Sequence, residues 1–252
     1  MEIKKKFILT IVLLSYLATA INGAIVITGL ENMAKDLDLN QSVLSWVQNS
    51  YVLAWGCFML LGGRLSDAFG RRVILNLSLL LFGIGSLFAG IATSATILIL
   101  SRFIQGVGAS ILAPTSLALI MDYFTGEERI KAIAWYSSIS GLGMCIGLVM
   151  GGTLASFLSW RYGFFIYLPL IVFMLIVSMK VLNKNNKKHS KGYFDIYGTI
   201  ASVIGIFSFV YAINGASNIW LWLIVSCISL FLFMRIESKA TAPIMPLRLF
   251  NK

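Results

Sequence analysis

The chain has 252 residues, 58% of them hydrophobic and only 12% charged, with a mean hydropathy of +0.88. A soluble domain carries about 25% charged residues, so this composition excludes a water-soluble globular protein. The net charge of +10 would suggest a nucleic-acid partner in a soluble domain. Here the basic residues are confined between apolar runs, so no nucleic-acid partner is expected.

Apolar runs of about 20 residues suit a helix crossing the bilayer core. Eight such spans are read, at 7–30, 44–62, 73–93, 97–121, 131–156, 162–182, 195–213 and 219–235. The first follows Lys4, Lys5 and Lys6 and passes through Ala18-Thr19-Ala20, the outline of a signal peptide. It continues to Leu30, beyond the roughly 7–15 residues of a signal core, so it is read as an uncleaved helix. Residues 31–43 form the one sizeable outer loop, with Glu31, Asp36 and Asp38 as a solvated acidic face. Residues 63–72 form a tight turn between the second and third spans. There Asp67 and Arg71, four apart, can pair on one helical turn.

The fourth span contains Arg102, Gln105, Gly106 and Gly108, then Pro114, where a lost backbone donor predicts a kink. An arginine at mid-span costs about 2.5–3.5 kcal/mol on insertion scales and is a functional candidate. Lying about 8 Å from the outer end, it could alternatively snorkel to the interface. In the fifth span Gly143, Gly147 and Gly151 repeat every four residues, a stripe that suits close helix packing. Polar and aromatic groups inside spans, Asn22, Gln48, Tyr51, Trp55 and Gln105, are substrate-pocket candidates, with core filling as the alternative. Aromatic faces suit flat or cationic ligands.

Basic residues alternate from loop to loop. One side holds Lys4, Lys5, Lys6, Arg64, Arg71, Arg72, Arg129, Lys131, Lys180, Lys184, Lys187, Lys188, Lys191, Arg235, Lys239, Arg248 and Lys252. The other holds Lys35 and Arg161. This bias predicts that both termini are cytoplasmic. The basic linker 183–193 could also bind anionic headgroups, though topogenesis alone explains it. Cys57, Cys145 and Cys227 are isolated within apolar runs, which argues against a disulfide framework or a metal site. His189 lies among lysines and is read as solvated. No catalytic residue, metal or cofactor is expected, and no phosphate loop accompanies the helices.

Several stretches together resemble the major facilitator superfamily. Gly63, Leu65, Asp67, Gly70, Arg71 and Arg72 match its signature loop between helices two and three, G-x-L-x-D-x-x-G-R-K/R. Leu98, Arg102, Gln105, Gly106 and Gly108 resemble its L-x-x-x-R-x-x-Q-G-x-G motif, whose arginine is linked to proton transfer. Gly143, Gly147, Gly151 and Gly152 resemble its antiporter motif, with Leu148 where a proline belongs. Trp160 to Pro169 resembles the entry to helix six, with Tyr167 replacing an asparagine, and Asp122 to Lys131 resembles a charged loop that clusters with the signature loop.

The finer resemblance is to fourteen-helix drug:proton antiporters. Phe194 to Gly198 resembles the opening of their extra helix pair, and Pro243 to Phe250 their lead-in to a ninth helix. In the first span Asn22 stands where these relatives carry an acid, so a coupling acid is expected elsewhere. The resemblance implies an all-α integral membrane fold. It comprises an N-terminal six-helix bundle (1–182), a basic cytoplasmic loop (183–193), and two extra helices with a lead-in (194–252).

The resemblance also implies a cell-membrane, proton-coupled exporter of small amphipathic compounds, truncated and inactive without a C-terminal bundle or second chain. Arg102, Asp67, Arg71, Arg72 and Asp122 would serve coupling or gating. Gly63, Gly70, Gly143, Gly147, Gly151 and Gly152 would serve conformational change. Substrate, protons and lipid are the expected partners. Standing alone, the half is expected to leave Arg102, Asn22 and Gln105 without partners. A metabolite or lipid exporter and a non-transporting scaffold are the competing readings.

Overall fold

The computed structural model describes residues 3–182, 196–213 and 218–239, and every regular element among them is helical. The elements are α1 (Ile3–Asp36), α2 (Gln41–Phe69), α3 (Arg71–Gly90), α4 (Ala95–Tyr123), α5 (Gly126–Phe157), α6 (Tyr162–Phe165), α7 (Tyr167–Val181), α8 (Ile196–Ile213) and α9 (Ile219–Lys239). By length and hydropathy α1 to α5, α9 and the combined α6–α7 can each cross a membrane, whereas α8 is a shorter apolar helix. The loop at 183–193, with His189, and the lead-in at 243–250 lie outside the described residues.

Helix ends differ from the apolar runs. The expected outer loop is largely helix: α1 runs on through Glu31–Asp36, carrying an exposed Lys35–Glu31 pair at 2.7 Å, and α2 starts at Gln41. The chain turns at 37–40, where Asp38 takes φ 50° and the Asn40 side chain caps α2 by accepting from Val43 N–H at 2.9 Å. The expected turn at 63–72 contracts to one residue. α2 stays helical to Phe69, and Gly70, at φ 94°, is the break before α3. That backbone region favours glycine. Asp67 and Arg71 do pair, at 2.6 Å, but across this break and not within one helix. The fifth helix begins at Gly126, ahead of the expected 131, and the sixth span divides at Ile166 into α6 and α7. α4 runs unbroken through Pro114.

Lipid supplies no hydrophobic drive between helices, so close packing must hold the bundle together. α4 lies between α2 and α3, α1 packs along α5, and α7 rests on α1 and α3. Missing side chains permit these approaches. A Cβ on Gly106 would stand 2.5 Å from Tyr51 O in α2, and one on Gly108 2.5 Å from Phe82 N in α3. Gly62 and Gly85 do the same from the facing helices. On the α1–α5 seam, Cβ atoms on Gly143 and Gly147 would each sit 2.7 Å from α1 atoms, and one on Gly151 2.2 Å from Thr28 Oγ1. Gly152 has nothing within 4 Å of such an atom, and Gly63 meets only an ordinary contact at 3.8 Å. The tight neighbour is Gly62, not Gly63.

The α8–α9 pair joins the bundle through α2. Tyr211 of α8 carries the junction, with its ring 5.6 Å from Trp46 of α2 and 4.8 Å from Trp222 of α9.

Candidate functional site

The fourth-helix arginine is the centre of the bundle. Arg102 is 1% exposed, so it does not snorkel. Its Nη1 donates to Asn22 Oδ1 of α1 at 2.7 Å and to Gln105 Oε1 one turn along α4, and its Nε donates to Val47 O of α2 at 3.3 Å. Gln105 Nε2 in turn donates to Ser86 Oγ of α3 at 2.8 Å. Arg102 thus links α1, α2 and α4 through neutral acceptors, and Gln105 extends the network to α3. The guanidinium also lies 4.2 Å from the centroid of the Tyr51 ring and 6.0 Å from that of Phe164.

Asn22 and Gln105 are buried, and both accept from Arg102. The expectation that Arg102, Asn22 and Gln105 lack partners in this half is corrected, since Arg102 donates to the other two. Tyr51 is already occupied by the protein's own cation. Of the remaining pocket candidates, Gln48 is partly buried and Trp55 is exposed on α2. Sequence reasoning passed over Ser86 and the Val47 carbonyl. A serine in a span and a backbone carbonyl give no distinctive signal.

At the basic end Arg71 joins two helices. Its guanidinium meets Asp67 of α2 at 2.6 Å and Asp122 of α4 at 3.0 Å, and Nη1 donates to Ser66 Oγ at 3.1 Å. Arg72 forms no ion pair with a described residue. Arg129, at the start of α5, caps α4 by donating to Phe124 O at 2.8 Å and Met121 O at 3.1 Å. Lys5 pairs with Glu128 at 2.7 Å, and that bond holds the Glu128 carboxyl below the usual range.

At the opposite end Asp36 is not a solvated acid. It accepts from the Arg161 guanidinium and, at 3.1 Å, from Trp160 Nε1, while Arg161 Nη2 donates to Ala92 O at 2.9 Å. The Arg161 bond holds the Asp36 carboxyl below its ordinary value. An open cleft of about 360 Å3 adjoins this latch, lined by residues that include Asn32, Lys35, Asp36 and Trp160. Among the described residues no cluster of His, Cys, Asp and Glu could hold a metal ion.

Long apolar helices packed through glycines around a buried arginine define a multi-pass helical-bundle membrane protein of the transporter type. Residues 12–247 match the family model described as Major Facilitator Superfamily. The chain belongs to that superfamily, a family of transporters rather than enzymes. It is 34% identical over 245 residues to the puromycin resistance protein pur8 of Streptomyces alboniger, covering 94% of this chain and 48% of that protein. It is 31% identical over 256 residues to the multidrug transporter protein MdtP of Bacillus subtilis (strain 168), covering 98% of this chain and 47% of that protein. The chain therefore spans about half the length of these curated relatives. Its fold is similar to that of the POT family transporter PepTSo, with a TM-score of 0.64 at 16% identity, over 98% of this chain and 54% of that one.

Proposed function

We propose that this chain is the N-terminal part of a proton-coupled exporter of small amphipathic compounds, in the cell membrane, with both termini cytoplasmic. The carrying observation is Arg102: a buried cation inside a membrane span, held at 2.7 Å by Asn22 of another helix. Similarity to a puromycin resistance protein and a multidrug transporter supports export of drug-like molecules. The Arg71 cluster ties α2 to α4 beside the Gly70 break, a placement suited to gating at the cytoplasmic end.

In vesicles reconstituted with a complete transporter that carries this half, an imposed pH gradient is expected to drive movement of a fluorescent amphipathic dye, and a protonophore to stop it. Equal movement with and without the gradient would remove proton coupling from the proposal.

The orientation rests on the basic residues gathered at one end. A reporter fused after Lys188 is expected to read as cytoplasmic, and one inserted at Asp38 as external. The reverse pattern would invert the layout.

A further inference from the structure

Among the described residues Arg102 has no acidic partner. The described acids are Glu31, Asp36, Asp38, Asp67, Asp122, Glu127, Glu128 and Glu237, and all lie at or beyond helix ends. None forms an ion pair with Arg102. The groups that hold the guanidinium, Asn22 Oδ1, Gln105 Oε1 and Val47 O, are neutral, and arginine keeps its proton in proteins. The remaining polar atoms add no negative charge. The Asn22 amide nitrogen is a donor, and the Tyr167 hydroxyl is neutral; both are buried without a hydrogen-bond partner. The Tyr51 ring, the surface best suited to a ligand cation, is stacked by Arg102 at 4.2 Å.

Resting on the transporter reading above, we infer that this half carries a fixed, uncompensated positive charge at its centre, which selects anionic over cationic substrates. A ligand charge about 10 Å from Arg102, at an effective dielectric near 20, feels this site by on the order of tenfold in affinity, in opposite directions for the two signs. Neutral amphipathic compounds are admitted without this bias. A carboxylate at position 22 would cancel the charge where Asn22 leaves it standing.

The test is efflux from pump-deficient cells expressing a complete transporter that carries this half, loaded with carboxyfluorescein (anionic), ethidium (cationic) or Nile red (neutral). Rates are corrected for cells without the protein. Carboxyfluorescein is expected to leave at least tenfold faster than ethidium. Asn22→Asp should lower that ratio at least tenfold, whereas Asn22→Ala, which adds no charge, should leave it within about twofold. Export of Nile red with ethidium equal to or ahead of carboxyfluorescein in the unsubstituted protein overturns the charge inference alone. An equal change of ratio in Asn22→Asp and Asn22→Ala overturns it too. Absence of export for all three probes overturns the transporter reading and the inference with it.

Discussion

In a complete transporter carrying this half, Arg102→Ala is expected to lower substrate efflux at least tenfold while leaving the amount of protein in the membrane near normal. The two halves of this outcome have separate causes. Abundance survives because removing the residue removes a buried charge along with its hydrogen bonds. Ion burial costs several kcal/mol, and that cost is relieved when the side chain goes. Against it stand three acceptors left unpaired, Asn22 Oδ1, Gln105 Oε1 and Val47 O, each worth about 1–3 kcal/mol. The opposing contributions are of similar size. Function is lost because no other described charge occupies the centre. Arg102→Lys is expected to rescue poorly, since lysine lacks the planar fork that donates to α1 and α2 while stacking on Tyr51. Efflux measured against immunodetected protein checks the pair, and normal efflux from Arg102→Ala would show Arg102 to be structural.

Gly147→Val should produce a large loss of stability on the α1–α5 seam, and Gly152→Val almost none. The two glycines belong to one sequence motif and differ in what they face. A Cβ on Gly147 would lie 2.7 Å from both Ala24 Cβ and Ile21 O, and 3.0 Å from Ile21 Cα. Two of those atoms are backbone, which can yield only by separating the helices. Overpacking of this kind costs about 1–3 kcal/mol or more. A Cβ on Gly152 would meet nothing within 4 Å. Thermal unfolding of the detergent-solubilised protein should show a fall of several degrees for Gly147→Val and little change for Gly152→Val. Matching curves would mean that α1 and α5 are not in this close contact.

Span positions were readable because bilayer thickness imposes a length on apolar runs, and a charged residue inside one stands out. Arg102 was found that way, and its motif marked it again. Helix ends were not readable, because apolarity reports where lipid begins and not where the backbone stops winding. α1 therefore outruns its apolar stretch as far as Asp36, and α2 passes through the charged Arg64 to Phe69. Partners were harder still. Asn22 and Gln105 looked like pocket polar groups, since nothing local indicates that they close on Arg102. The Asp36–Arg161 latch joins residues 125 apart in the chain, so each looked like an isolated loop charge. Gly143, Gly147 and Gly151 were legible as a stripe, but its mate could not be named. Gly62 and Gly85, equally tight, belong to no spacing pattern.

The glycine contacts have a mechanical consequence. With backbone against backbone, α2, α3 and α4 behave as one stiff plate, and α1 with α5 as another. The bond from Arg102 to Asn22, 2.7 Å long, crosses from one plate to the other. A slide of one helical turn, about 5.4 Å, would break it. Internal rearrangement of this half is thus channelled into a plane of slip that Arg102 crosses on one side and Arg129, donating to Met121 O, on the other.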